Sequence, residues 1–287
     1  MRKPITALLL ALLCLGSTTA CGQDESAAPA EPTNSEAAAP ENVAPEPVEP
    51  DPAELYVNNL PIEAQVAQMF FARCPEVDAA ALAGQYDIGG YILFGRDFEG
   101  QTRESVTETI QSYQDAAATP MLIGVDEEGG TVVRISSNPN FRASKFRSPQ
   151  SLYNEGGFGL ITSDTKEKDA LLASIGVNVN FAPVCDVSTN PNDFMNARAF
   201  GKDASQTSEF VRTVVGQMLA DNTGMVLKHF PGYGNNIDTH TGIATDDRPI
   251  ETFRESDFLP FQAGIAAGAQ SVLVSHNIVT CMDSELP

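Results

Sequence analysis

The chain has 287 residues, 42% of them hydrophobic, enough for one large domain or two small ones with a substantial core. Its formal net charge is -21 at pH 7, a balance that phosphate backbones repel, which argues against nucleic acid as a partner. Five cysteines, Cys14, Cys21, Cys74, Cys185 and Cys281, form no C-x-x-C pair and no Cys/His cluster with zinc-ligand spacing, so no metal site is expected.

The N-terminus has the three-part pattern of a secretory leader over residues 1–20: Arg2 and Lys3, an apolar run from Ile5 to Leu15, then small residues to Ala20. The run is short for a membrane span. Cys21 follows Ser17-Thr18-Thr19-Ala20 and resembles the lipidated Cys of bacterial lipoprotein signals. An aliphatic residue is usual where Thr18 stands, and ordinary cleavage after Ala20 is the alternative. Residues 21–53 read as a tether. Nine Asp or Glu and no Lys or Arg fall between Gly22 and Glu54, among many Ala and Pro. Such a segment cannot bury enough surface to offset its chain entropy and should be an extended, self-repelling spacer. Together these features predict an exported cell-surface protein held to the membrane by a lipid anchor.

From residue 54 to 287 the pattern is that of a folded domain. Apolar residues at helical spacing run from Glu54 to Phe71. The stretch 89–95 then reads as a buried strand, 103–118 as a helix, 121–126 as a second strand and 166–175 as a helix. Strands follow at 177–185, 225–230 and 271–278, with helices at 206–221 and 257–267 between them. The alternation predicts an α/β fold with a parallel sheet and helical crossovers. Polar residues gather where strands end: Asp126-Glu127-Glu128, Asp186, Lys228-His229 and His276. Both a (β/α)₈ barrel and a doubly wound sheet place their chemistry there. No G-x-G-x-x-G follows a strand, which argues against dinucleotide binding. Cys74, Cys185 and Cys281 read as buried small hydrophobes.

Three segments carry the chemistry. They are Gly124-Val125-Asp126-Glu127-Glu128-Gly129-Gly130 through Arg134; Asn180 through Val187 with Ala197-Arg198-Ala199-Phe200-Gly201; and Lys228-His229-Phe230-Pro231-Gly232-Tyr233-Gly234 with Asp238-Thr239-His240. In order and spacing they resemble the N-terminal domain of family 3 glycoside hydrolases, in the bacterial β-N-acetylglucosaminidase branch. The β-glucosidase branch lacks the Lys-His-Phe-Pro-Gly loop with a downstream Asp-x-His. The resemblance implies a (β/α)₈ TIM-type barrel. It also implies a retaining hydrolase that removes terminal β-linked N-acetylglucosamine from cell-wall or chitin-type oligosaccharides.

In that family the loop His is the general acid/base and the Asp two residues earlier orients it, which here implies His240 and Asp238. Imidazole titrates near neutral pH, so it can protonate a leaving oxygen and later deprotonate water. Glu127 and Glu128 are the next candidates should the dyad fail. By the same match Asp126, Arg134, Arg198, Lys228 and His229 line the sugar pocket, with structural ion pairing as the alternative for the two arginines. Asp186 reads equally well as a pocket residue or as a helix cap. Tyr233 stands where His is usual, Thr131 where Arg is common and Ala199 where Ser is common. The stretch from Gly234 to Asp238 is one residue short.

No cofactor is implied. The family nucleophile is an Asp in a Ser-Asp-Asp-like motif after a strand, and none follows Ser271–Ile278. The sequence therefore reads as a barrel truncated after about five strands, with its nucleophile beyond Pro287 and no activity by itself. A non-catalytic sugar-binding lipoprotein or remnant, or a β-N-acetylglucosaminide phosphorylase, is the alternative.

Overall fold

The computed structural model describes residues 51–238 and 242–287. The leader, Cys21, most of the tether and His240 lie outside them. Among the described residues no helix is long and apolar enough to cross a membrane.

The expected opening helix is two helices, α1 (Pro52–Asn59) and α2 (Ile62–Gln68). Asp51 caps α1 by accepting from the Ala53 amide, and extended backbone at Leu60 and Pro61 ends it. Phe71, read as the tail of that helix, instead begins β1 (Phe71–Arg73). The chain continues through α3 (Ala79–Tyr86), β2 (Gly90–Leu93), α4 (Gly95–Phe98), α5 (Arg103–Ala116) and β3 (Leu122–Val125). Then come α6 (Pro149–Ala173), β4 (Val179–Asn180), α7 (Ala204–Ala220), β5 (Gly224–Met225) and β6 (Leu227–Phe230). The last elements are β7 (Thr245–Asp246), α8 (Ile250–Thr252), a π-turn (Phe253–Asp257), α9 (Phe258–Ala266), β8 (Val272–Val274) and β9 (Ile278–Val279).

The helix starts follow local chemistry. Thr102 and Ser105 cap each other's amides at α5, Ser148 precedes Pro149 at α6, and Asp203 accepts from the Gln206 amide at α7.

β1 to β5 pair in chain order, every pair parallel. β5 and β6 are one strand interrupted at Val226, and β6 carries the arc on to β8, again parallel. The interruption does not detach the strand, because Lys228 bridges back to Val184. The arc thus has six strand positions rather than five. The extra one is β1, whose three residues are too few to show a period. Among the described residues the barrel is not closed: β1 and β8 each have one strand neighbour, and Val272, Leu273 and Val274 are exposed. The strand expected at 271–278 stops at Val274, and Ile278–Val279 pairs separately with β7.

Inside the arc Phe71 and Phe181 meet edge to face at 5.2 Å. They pass directly over Gly124, where a Cβ would lie 2.6 Å from the Phe181 ring, so only glycine fits on β3 at that point. Outside the arc, Tyr91, Ile123, Val106, Ile110 and Leu172 pack the first crossovers onto the sheet. Phe200, Phe210, Val211, Leu227 and Phe261 join α7 and α9 to β6. Cys74 and Cys185 are buried as expected, whereas Cys281 is exposed because it lies past β9 with nothing packed over it. These layers leave the C-terminal strand ends free to carry polar residues.

Candidate active site

Directly after β3 the chain turns through Asp126, Glu127 and Glu128. Gly129 and Gly130 take left-handed backbone there, with φ of 97° and 67°, and a Cβ on Gly129 would lie 2.3 Å from the Arg147 carbonyl. The turn sends the three carboxylates in different directions.

Glu127 is fully buried and structural. Its carboxylate accepts from the amides of Arg134 (2.7 Å), Ile135 (2.8 Å) and Ser136 (3.3 Å) and from the Ser136 hydroxyl. Asn180 of β4 clasps its backbone from the neighbouring strand. Glu127 therefore shapes the loop that carries Arg134 and has no lone pair to spare for chemistry.

Glu128 is the electrostatic centre. Arg198 grips it in bidentate fashion, Nε to Oε2 at 3.0 Å and a terminal nitrogen to Oε1 at 2.7 Å. Lys228 lies 2.6 Å from Glu128 Oε1 and 2.6 Å from Asp126 Oδ1. Burial pushes the Glu128 carboxyl up, but Lys228 and Arg198 outweigh it and hold the group down at about 2. Neither Glu127 nor Glu128 can serve as a reserve proton donor.

Lys228 and His229 stand at the C-terminal end of β6 with a cis peptide between them. Asp186 is 1% exposed and caps no helix. It accepts from His229 Nδ1 at 2.8 Å, from the His229 amide at 3.2 Å and from the Tyr233 amide at 2.8 Å. This places the imidazole proton on Nδ1 and turns Nε2 toward the Arg198 guanidinium, 3.2 Å away. His229 is thus a fixed hydrogen-bonding group.

Tyr233 is buried, with its ring edge-on to His229 at 5.5 Å. Arg134 is half-buried and 3.8 Å from Asp126 Oδ2.

The structure therefore brings Asp126, Arg134, Arg198, Lys228 and His229 into one contact cluster at the strand ends, and adds Glu128 and Asp186 as the groups that hold them. Asp238 is described and half-buried, but His240, its expected partner, lies outside the described residues.

Sequence reading also missed Arg248, which joins the two ends of the segment carrying Asp238 and His240. Its guanidinium binds Asp246 of β7 at 2.8 Å, Asp257 of the π-turn at 3.1 Å and the Gly232 carbonyl at 3.1 Å. The only hint in the sequence is the Asp246-Asp247-Arg248 run.

Among the described residues no group of three or more His, Cys, Asp or Glu is arranged to hold a metal ion. The pocket instead offers one carboxylate acceptor, Asp126, ringed by directional N–H donors. This set suits a neutral polyhydroxylated ligand with a carbonyl-bearing substituent.

Residues 61–287 match the model of the glycosyl hydrolase family 3 N terminal domain. A beta-hexosaminidase of Xanthomonas campestris pv. campestris (strain B100) is 35% identical over 196 residues, 67% of this chain and 58% of that protein. Beta-hexosaminidase A of Pseudoalteromonas piscicida is 32% identical over 209 residues, 70% of this chain and 34% of that protein. Among solved structures, a glycoside hydrolase family 3 beta-N-acetylglucosaminidase from Paenibacillus sp. str. FPU-7 superposes with a TM-score of 0.72 at 26% identity, covering 79% of this chain and 44% of that one. The matched part thus spans 58% of the Xanthomonas relative and 34% of the Pseudoalteromonas one.

Proposed function

The chain belongs to glycosyl hydrolase family 3 through its N-terminal domain, and on that premise we propose that it forms the sugar pocket of a retaining β-N-acetylhexosaminidase. The observation that carries this reading is the cluster of Asp126, Lys228, Glu128 and Arg198 at the strand ends. It is supported by relatives named as beta-hexosaminidases. The substrate is a terminal β-linked N-acetylglucosamine of cell-wall or chitin-type oligosaccharides. Asp126 accepts from two sugar hydroxyls, while Lys228, Arg198 and Arg134 donate to the remaining hydroxyls and the acetamido oxygen.

In the proposed reaction a carboxylate attacks the anomeric carbon while His240, oriented by Asp238, protonates the departing glycosidic oxygen. The carbon–oxygen bond breaks and a glycosyl-enzyme forms. His240 then takes a proton from water, which opens the ester with net retention. The nucleophile is proposed to be an aspartate beyond Pro287, from the part of the relatives' length that this chain does not span. The scheme uses no metal or organic cofactor. Its second half distinguishes hydrolase from phosphorylase: water yields free sugar and phosphate yields the sugar 1-phosphate. The lipid anchor at Cys21 and an exported, membrane-held location belong to the same proposal.

Calorimetric titration of N-acetylglucosamine into the chain tests the pocket. Asp126→Asn should weaken binding about 10- to 100-fold, as for loss of charge-assisted hydrogen bonds. No binding by the unaltered chain, or equal binding by the variant, overturns the assignment.

A further inference from the structure

The floor of the pocket is internally paired, with Lys228 and Arg198 facing Asp126 and Glu128, and Asp186 hydrogen-bonded to His229. The rim toward β1 and β2 is not. Arg73 is the last residue of β1, in register with Ile92 of β2. Phe94 follows β2 directly, as Asp126 follows β3, and Leu93 and Val125 are register partners. These residues therefore emerge side by side at the same end of the arc.

Arg73 is exposed and lies over the Phe94 ring at 5.0 Å, and Arg134 approaches the same ring at 5.9 Å. Two guanidinium groups thus lie against one aromatic ring. Among the described residues Arg73 has no carboxylate within 4.0 Å, and Arg134 has only Asp126 at 3.8 Å, already shared with Lys228. The buried Nε of Arg134 has no hydrogen-bond partner. The other acids nearby are taken or do not reach. Arg96 binds Glu76 and lies 3.5 Å from Asp97, Asp97 also accepts from the Phe94 amide, and Glu99 lines the cleft beside Arg134 without pairing to it. In a chain of net charge -21, two guanidiniums without carboxylates of their own, at the edge of a sugar pocket, are the reverse of the overall balance.

We infer that Arg73, Phe94 and Arg134 form an anion subsite next to the sugar pocket, which selects N-acetylglucosaminides bearing a carboxylate or a phosphate ester. The guanidinium forks match either oxyanion, and the Phe94 face holds Arg73 in place. This rests on the pocket binding N-acetylglucosamine at all, and the test separates the two.

Three ligands are titrated calorimetrically into the full chain at low salt: N-acetylglucosamine, its 6-phosphate, and the β-glycoside of 4-hydroxybenzoate. The second carries the anion on the sugar and the third on the leaving group. At least one anionic ligand should bind about tenfold more tightly than the neutral sugar, an advantage that falls as salt is raised. The arm that gains tells which end of the substrate faces Arg73. In Arg73→Gln the ratio of anionic to neutral affinity should fall to near one, and in Arg73→Lys it should be intermediate, because the charge remains without the fork. A ratio near one in the unaltered chain, or a ratio kept by Arg73→Gln, overturns the subsite while leaving the sugar pocket standing. If no ligand binds, the pocket reading falls and takes this one with it.

Discussion

Arg198 and Glu128 meet as a two-point pair, at 3.0 and 2.7 Å, although 70 positions separate them in the chain. Glu128 is 2% exposed at its side chain and also carries Lys228. Removing one partner of a buried pair leaves an uncompensated charge, which costs more than the pair contributes. Glu128→Gln should destabilise the fold by about 3–5 kcal/mol, read by urea denaturation at pH 7. The pH dependence has a definite sign. The folded pKa lies below the ordinary value, so this contribution is present above about 4.5 and lost as pH falls toward 2. A variant as stable as the parent would show that the clamp is not what organises the pocket.

Asp169 on α6 behaves in the opposite way. It is 1% exposed, and burial together with the charge of Asp221 pushes its carboxyl up to about 7. A raised folded pKa means that stability is full below about 4 and is lost as pH rises through 7. Asp169→Asn should abolish that loss and stabilise the protein at pH 8 by up to about 4 kcal/mol, with much less gain at pH 4. Urea midpoints at the two pH values decide it, and equal effects at both would refute the assignment.

The proposed role of His240 predicts a kinetic signature in a catalytically complete protein. His240→Ala should lose about 10²–10⁴-fold in turnover on alkyl glycosides, where protonation of the leaving oxygen matters. On a nitrophenyl glycoside the first step should survive and the glycosyl-enzyme should accumulate as a burst. Azide, which needs no base, should restore part of the rate and yield the glycosyl azide. Asp238→Asn should give a smaller loss of the same kind. Normal turnover of His240→Ala on an alkyl glycoside would remove the dyad. Glu127 and Glu128 could not replace it, since one is spent on three backbone amides and the other is clamped by two cations.

The anchor proposal is tested apart from the fold. Cells fed a fatty-acid probe should label the parent protein and not Cys21→Ala, and the variant should leave the membrane fraction. Unchanged labelling and retention would mean that export ends in simple cleavage after Ala20.

What was legible in the sequence, and what was not, follows from range. Runs such as Gly90–Leu93 and Leu122–Val125 are apolar over their whole length because a crossover sheet buries both faces, and that pattern is local. Parallel strands all end on the same side, so polar residues in or just past their ends, such as His229 and Asp126, necessarily gather there. Strand order and the family resemblance together thus led to the expectation that these residues gather. Where the local signal was thin, the reading failed. Phe71–Arg73 has three residues, follows a helical period without a break, and becomes a strand because Gly90 to Ile92 offers it hydrogen bonds. Partner choice was decided by the tertiary structure alone. Lys228 reaches Asp126 across 102 positions, Asp186 takes His229 across 43, and Glu127 turns inward to its loop amides while Glu128 turns to the cations. Three adjacent carboxylates look alike in a sequence. Strand register and the Gly129–Gly130 turn set which one is gripped by Arg198 and Lys228, which one meets backbone and which one lies between Lys228 and Arg134.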